Sequence, residues 1–273
     1  MEITMYHDVS KCTACRACSV ACKQWKDLPA EKTPFTGEYQ SHMSLSPKTY
    51  TLIRMTERME GDKFHWDFIK FQCMHCGDAG CVKACPQEAL TYADNGIVTF
   101  NADKCIGCGY CVTNCPFGVP HINEEIKKSS KCNFCEDRIA QGMVPSCAQT
   151  CTADAIYFGR REKMVAMAEA RVAELQKTNP KAQTYGINED GVGGTHMIYV
   201  LEDTPDVYGL PVNPQVPLSL SLWKDVVQPL GKVAMGGALG MAAVSLFLTT
   251  RAQKKQHEAD HGTGHDSGKG VDA

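Results

Sequence analysis

The sequence has no strong charge of either sign and no long apolar run near its first residues. Lysine and arginine number 28 and aspartate and glutamate 31, which gives a formal net charge of -3. A chain so balanced lacks the basic signal for binding a polyanion, so we expect no nucleic-acid partner. The opening residues MEITMYHDVSKC contain no segment that could act as a signal peptide, which argues against a separately exported, disulfide-rich protein.

Cysteine, by contrast, is abundant and regularly spaced. The 16 cysteines fall into four groups of four, with none left over, and we call these groups motifs I to IV. In chain order they are Cys12, Cys15, Cys18 and Cys22; Cys73, Cys76, Cys81 and Cys85; Cys105, Cys108, Cys111 and Cys115; and Cys132, Cys135, Cys147 and Cys151. This grouping predicts that every cysteine is a metal ligand.

The spacing favours iron-sulfur clusters over zinc. Motif III reads CxxCxxCxxxC and is followed by Pro116, the ferredoxin pattern in which three thiolates hold one cluster and the fourth reaches a second. Motif I has the same spacing, whereas motifs II and IV are looser variants. Zinc is the alternative, because CxxC pairs are common tetrahedral ligands and would make the chain a zinc-rich scaffold. A third cysteine so close to the pair counts against it, because one zinc ion needs two well-separated pairs.

The sequence between the motifs predicts two hairpins. Residues 49–58 and 63–71 alternate apolar and polar residues, with Phe64, Trp66 and Phe68 on one face, which we assign to the core. In motif II, His75 is expected at the surface or in a hydrogen bond, because four thiolates already fill the site.

The second predicted hairpin lies between motifs II and III. Its strands are residues 89–93 and 97–100, and residues 94–96, Asp-Asn-Gly, supply the turn. Motifs II and III thus have the layout of a two-cluster ferredoxin. Because motif IV is followed by a strand candidate at residues 155–158, motifs I and IV are interpreted as the halves of a second module. The predicted fold class is α+β, with two nested ferredoxin-like two-cluster modules and a C-terminal transmembrane helix.

This interpretation divides the chain into five parts. Apolar positions at helical spacing in residues 160–178 predict a helix whose apolar stripe we assign to the core, and a strand follows a glycine-rich loop. We expect this extension to contact a partner subunit. The predicted parts are an outer module, residues 1–72 and 116–160; an inserted module, residues 73–115; the extension, residues 161–222; a transmembrane anchor, residues 223–251; and a disordered tail, residues 252–273.

The anchor is predicted from an uncharged run at residues 233–250. As a helix it would be about 27 Å long, close to the roughly 30 Å of a bilayer's hydrocarbon core. An interfacial position for Trp223 and the small-residue spacing of Gly236 and Gly240 favour a span. A buried helix of a soluble protein is the alternative.

Together these motifs resemble the iron-sulfur (beta) subunit of membrane-bound respiratory formate dehydrogenases of the nitrate-inducible type. The resemblance runs from Cys12 to about Leu248 and includes CMHCGDAGCVKACP at 73–86, CIGCGYCVTNCPF at 105–117 and GVGGTHMIYVL at 191–201.

The resemblance, like the nested repeat, implies four 4Fe-4S clusters with crossed ligation. Thr152 departs from the family, which tends to have proline there, so a local change of turn is expected without loss of a ligand. The implied ligand sets are Cys12, Cys15, Cys18 and Cys151; Cys132, Cys135, Cys147 and Cys22; Cys73, Cys76, Cys81 and Cys115; and Cys105, Cys108, Cys111 and Cys85.

The resemblance also implies partners. In the family, a separate catalytic alpha subunit containing molybdenum or tungsten oxidises formate, and electrons leave through a cytochrome b gamma subunit in the lipid bilayer. No nucleophile and base are recognisable here, so the chain is expected to be a non-catalytic electron-transfer subunit. The alternative is the same role in another molybdoenzyme or hydrogenase complex, such as a sulfoxide, thiosulfate, tetrathionate or polysulfide reductase.

The expected location is the inner (cytoplasmic) membrane, crossed once. Arg251, Lys254 and Lys255 follow the anchor and Lys224 and Lys232 precede its apolar run, a bias towards a cytoplasmic C-terminus. The resemblance implies the same orientation, with the cluster domain in the periplasm. We therefore expect the chain to receive its clusters in the cytoplasm and to cross, folded, with a signal-bearing catalytic partner.

Overall fold

The computed structural model describes residues 1–188 and 190–262. Its strands are β1 (Ile3–Asp8), β2 (Thr51–Glu60), β3 (Lys63–Gln72), β4 (Leu90–Tyr92), β5 (Val98–Phe100), β6 (His121–Asn123), β7 (Lys128–Ser130), β8 (Ile156–Arg160), β9 (Gln183–Tyr185) and β10 (Met197–Leu201). Its α-helices are α1 (Ala17–Trp25), α2 (Gly80–Lys83), α3 (Tyr110–Thr113), α4 (Glu136–Ile139), α5 (Ser146–Gln149), α6 (Arg161–Leu175), α7 (Leu218–Ser221) and α8 (Gln228–Gly262).

A four-stranded sheet joins distant parts of the chain in the order β8-β1-β10-β9. Strand β1 runs antiparallel to β8 and parallel to β10, and β9 runs antiparallel to β10. The sequence did not predict β1, because all six of its residues are buried. A strand that is covered on both faces has no alternation of polar and apolar residues to reveal it.

Helix α6 covers one face of this sheet, as the spacing of its apolar residues predicted. Met164, Ala168 and Val172 recur every four residues and are buried against Tyr6 and Val200. The opposite face of the sheet is turned towards the cysteine motifs. The sheet is therefore the support on which the metal-binding loops rest.

Both predicted hairpins are confirmed. Strands β2 and β3 pair from Thr51 opposite Gln72 to the turn that follows Glu60, and β4 pairs with β5. The shorter hairpin closes at Gly96, whose φ of 87° requires a residue tolerant of the left-handed region. Its N–H donates to the carbonyl of Ala93 at 2.9 Å.

The prediction that the β3 aromatic residues belong to the core is wrong for two of them. Phe64 is 58% exposed and Trp66 43% exposed, and the Trp66 ring contacts Tyr39 at 5.0 Å. The buried residues of β3 are Ile69 to Gln72, at the base of the hairpin. Strand alternation assigns residues to a face, but it does not show how far a hairpin extends beyond the body of the protein.

The C-terminal residues form a helical stretch, in which a π-helical segment, Leu222–Val227, joins α7 to α8. The helical stretch of residues 218–254 is long and apolar enough to cross a membrane by length and composition. Its apolar 18-residue window has a mean hydropathy of 1.7 and is not buried in the chain itself. The helix differs from the predicted tail because it continues to Gly262. Alanine, lysine, arginine and glutamine after residue 250 favour helix. Residues 263–273 lie outside the described part.

Candidate iron-sulfur centres

Each motif begins with the same backbone turn. The residue immediately before the second cysteine has a positive φ in all four motifs, at 53° for Ala14, 49° for His75, 70° for Gly107 and 59° for Phe134. A left-handed residue reverses the chain locally, so that the cysteines on either side can face a common space. The repeat in the sequence is therefore also a repeat of conformation.

Short helices carry the third cysteine of each motif. Cys18 lies in α1, Cys81 in α2, Cys111 in α3 and Cys147 in α5. Helix α1 packs against α5 and α2 against α3, so motif I meets motif IV and motif II meets motif III. Helix α1 begins at Ala17 and also contains Cys22.

In the structure, cysteines of different motifs lie close together. We name these sets sites A to D, and each contains three cysteines of one motif and one of another. Three cavities are each lined by one complete set, and in the remaining set Cys22 has Cys132, Cys147 and Cys135 as its neighbours. Site A is Cys12, Cys15, Cys18 and Cys151; site B is Cys22, Cys132, Cys135 and Cys147; site C is Cys73, Cys76, Cys81 and Cys115; and site D is Cys85, Cys105, Cys108 and Cys111.

These sites suit a cluster of four irons better than a single ion. Among the side chains that the structure describes, in residues 1–188 and 191–254, no three of His, Cys, Asp or Glu converge closely enough to hold one metal ion. The cysteines of sites A, C and D instead surround cavities, as ligands do when each binds a different iron of one cluster.

Backbone N–H groups point at several of the sulfurs. The N–H groups of Ala89, Phe134, Ala155 and Ser129 each lie 3.3 Å from a cysteine sulfur, those of Cys85, Cys132, Cys151 and Cys105 respectively. Such donors stabilise the negative charge of a thiolate and are one of the means by which a protein sets a cluster's reduction potential.

Burial strongly disfavours the free thiolates. It raises the pKa of Cys18 and of Cys132 to about 12 and that of Cys115 to about 11. These groups therefore hold their protons until a metal replaces them, and ligation releases protons. The positive charge of iron compensates the buried thiolates.

The four sites form a series in the order A, B, C, D. Burial is the first cause that raises the thiol pKa of Cys18, Cys132 and Cys81, and a sulfur of the neighbouring site adds to it in each case. The neighbours are Cys147 of site B for Cys18, Cys73 of site C for Cys132, and Cys111 of site D for Cys81.

The two ends of this series differ from its middle. Cys15 of site A and Cys108 of site D are exposed, whereas the cysteines of sites B and C are buried or half-buried. Solvent, or a partner, can therefore approach the sites at the ends of the series.

Sequence reasoning did not find the buried polar side chains near the sites. Lys70 on β3 is fully buried, and its amine donates a hydrogen bond to the side chain of Gln72. Lys131 is also buried and donates to the carbonyls of Val98 at 2.7 Å and Cys132 at 2.9 Å. Lysine ordinarily indicates a solvated position, so no signal in the sequence distinguished these two.

For His75, the predicted hydrogen bond is confirmed and the predicted surface position is wrong. Its Nδ1 accepts a hydrogen bond from the N–H of Val98 at 3.1 Å, as the hydrogen-bonding interpretation predicted. The side chain is fully buried, however, and its ring lies 4.7 Å from that of Phe134. These two residues occupy the same position in motifs II and IV, so the repeated turns of sites B and C meet through their rings.

Comparison with known proteins identifies the class of the cysteine-rich part of the chain. Two family models, both described as a 4Fe-4S dicluster domain, match residues 64–161 and residues 11–89. With its 16 cysteines, the chain is an electron-transfer protein that carries four 4Fe-4S clusters.

The relatives narrow this class to one family. The chain is 43% identical over 267 residues to the formate dehydrogenase iron-sulfur subunit of Haemophilus influenzae, covering 96% of this chain and 85% of the relative. It is 44% identical over 237 residues to the nitrate-inducible formate dehydrogenase iron-sulfur subunit of Escherichia coli, covering 84% and 79%. The chain belongs to the family of formate dehydrogenase iron-sulfur subunits, which are electron-transfer rather than catalytic subunits.

Proposed function

We propose that the chain conducts electrons from a formate-oxidising catalytic subunit to a second subunit in the membrane. The observation that carries the proposal is the series of sites A to D with an exposed cysteine at each end. Each cluster, when bound, supplies a one-electron centre. The chain holds the sites in sequence, buries the middle two and leaves the outer two accessible, so electrons enter at one end and leave at the other.

We propose crossed ligation in each pair of sites. Cys22 from motif I completes site B and Cys151 from motif IV completes site A, while Cys85 and Cys115 are exchanged between sites C and D. The cysteine-lined cavities support this assignment. Exchange within each pair agrees with a nested arrangement, in which the module of motifs II and III is inserted into that of motifs I and IV.

The names of the relatives support the choice of formate as the electron source. By family resemblance, the catalytic partner contains molybdenum or tungsten, and the membrane partner is a cytochrome b that delivers electrons to quinone. The apolar helix of residues 218–254 supports anchorage in the membrane beside that second partner.

Thiosulfate reduction is the second candidate. The thiosulfate reductase electron transfer subunit of Salmonella typhi is 38% identical over 163 residues, which cover 59% of this chain. The formate dehydrogenase subunits match over a larger part of the chain at higher identity, which favours formate.

The test is to purify the native membrane complex and add substrates anaerobically. Formate is expected to bleach the visible absorbance of the clusters and to produce EPR signals of reduced 4Fe-4S centres, with about sixteen irons per chain. Oxidation of prereduced clusters by thiosulfate, with no response to formate, would select the second candidate. About four zinc ions per chain with no visible absorbance would indicate the scaffold instead.

A further inference from the structure

Lys70 is a buried lysine between two of the cysteine sites. It lies at the base of the β2–β3 hairpin and its side chain has no exposure to solvent. Sulfurs of two sites interact with its ammonium group, Cys18 of site A and Cys22, Cys132 and Cys147 of site B.

No carboxylate neutralises this lysine in the part of the chain that the structure describes. Its hydrogen-bond acceptor is the side-chain oxygen of Gln72. The amide nitrogen of Gln72 in turn lies 3.4 Å from the sulfur of Met197 and 3.8 Å from that of Met5. The ammonium group therefore sits in a mostly apolar environment, where an unpaired charge is costly.

The groups that can compensate this charge are the cysteine sulfurs. Four thiolates and a 4Fe-4S cluster carry a net negative charge, and reduction adds one more electron. A cation held at a fixed place in a medium of low polarity interacts more favourably with the reduced cluster than with the oxidised one. This interaction is stronger inside the protein than at its surface, because solvent does not screen it.

We propose that Lys70 is a positioning residue for electron transfer, a fixed cation that raises the reduction potentials of the clusters at sites A and B. The proposal rests on the ligand sets proposed above. It gives the A and B half of the series a fixed positive charge, since the sulfurs that act most strongly on Lys70 belong to sites A and B. Electrons are thereby held more strongly at the A and B end than the cysteine ligands alone would hold them.

The test is an EPR-monitored redox titration of the purified complex carrying Lys70→Met, which keeps the length of the side chain and removes its charge. The expected result is at least a tenfold weaker reduction of the clusters at sites A and B, about 59 mV lower for a one-electron couple. The potentials at sites C and D are expected to change much less. Cys151→Ser and Cys22→Ser, which each remove one ligand, assign the signals of sites A and B.

Two further variants serve as controls. Lys63→Met removes a lysine from the exposed end of the same strand and is expected to leave all four potentials unchanged. Lys70→Arg keeps the positive charge and is expected to retain the potentials at sites A and B. Unchanged potentials in Lys70→Met with a full iron content would overturn the proposal.

If the clusters do not assemble in Lys70→Met, their iron content is measured instead of their potentials. The second neutral variant, Lys70→Gln, is then compared with it, because its side chain can still form a hydrogen bond with Gln72. Loss of iron confined to sites A and B in both neutral variants, with full iron in Lys70→Arg, also supports the need for a charge. Loss of iron in all three variants indicates a packing role and contradicts the proposal. Reduction by formate is measured separately, so a wrong substrate would leave the shifts in potential unaffected.

Discussion

Gly77 shows how closely the loops around the cysteines approach their neighbours. Its N–H donates to the carbonyl of Gly194 at 2.9 Å, and a Cβ at position 77 would lie 2.2 Å from the carbonyl oxygen of Gly193. The glycine-rich loop before β10 thus supports the motif II loop through backbone contacts. Gly193 and Gly194 have φ values of 66° and 69°, in keeping with a turn.

Crossed ligation gives a test at the level of one residue. Replacing Cys22 by serine is expected to damage the cluster at site B, because this cysteine is grouped with Cys132, Cys135 and Cys147. The site A cluster keeps all of its thiolates, although three of them come from the same motif as Cys22. EPR spectra and iron analysis of the variant measure both effects.

Cys18→Ser is the matched variant. It lies in the same helix as Cys22 but belongs to site A, so it is expected to damage that cluster and spare the one at site B. If Cys22→Ser and Cys18→Ser both removed only the cluster at site A, the crossed assignment and the nested arrangement would both be wrong.

At the scale of elements, one ion pair fixes α6 to the central sheet. The Asp8 carboxylate at the end of β1 has no side-chain exposure, and Arg171 of α6 lies 2.9 Å from it. Ser10 also donates to this carboxylate, from its backbone N–H at 3.0 Å and from its hydroxyl at 2.6 Å. The pair therefore holds a buried negative charge just before motif I begins.

Replacing Arg171 is expected to lower the stability of the protein. Arg171→Ala leaves the Asp8 carboxylate buried without its counter-ion and should destabilise the protein by about 3 kcal/mol, at the low end for a broken buried pair because Arg171 is itself partly exposed. The measurement is the denaturant concentration at which the visible absorbance of the clusters is lost, which should fall.

Arg160→Ala is the control, since its pair with Glu162 is largely exposed. Its expected cost is under about 1 kcal/mol. Equal effects of the two substitutions would show that the Asp8 carboxylate does not need Arg171 to remain buried.

At the scale of the whole molecule, the chain divides into two units whose surfaces differ. Residues 1–220 form one compact unit, and a second unit begins at Ser221. The first contains the sites A to D, and the second presents a helix whose apolar residues are exposed, among them Leu239, Leu246 and Phe247. Exposed apolar side chains in such number fit a lipid environment better than water.

The charge distribution predicts the orientation of this anchor. Three basic residues follow the apolar run and two precede it, so the C-terminus is expected in the cytoplasm and the cluster unit in the periplasm. Protease added to intact spheroplasts should then digest the cluster unit and spare a tag placed after Ala273. Protection of the cluster unit together with loss of the tag would reverse the orientation. Spheroplasts opened with detergent provide the control, in which both must be cut.

The sequence alone determined the chemistry of the sites. Sixteen cysteines in four spaced groups predicted the clusters. The spacing of ligands along the chain is a local property, because a turn of fixed conformation brings cysteines at that spacing to face a common space. The same local signals predicted both hairpins, helix α6 and the apolar helix. Only the tertiary structure decided that β1 lies between β8 and β10, and that the tip of the long hairpin is exposed. Only the tertiary structure, too, placed Lys70 among the cysteines of two sites, because the burial of a strand residue depends on segments that are remote in sequence.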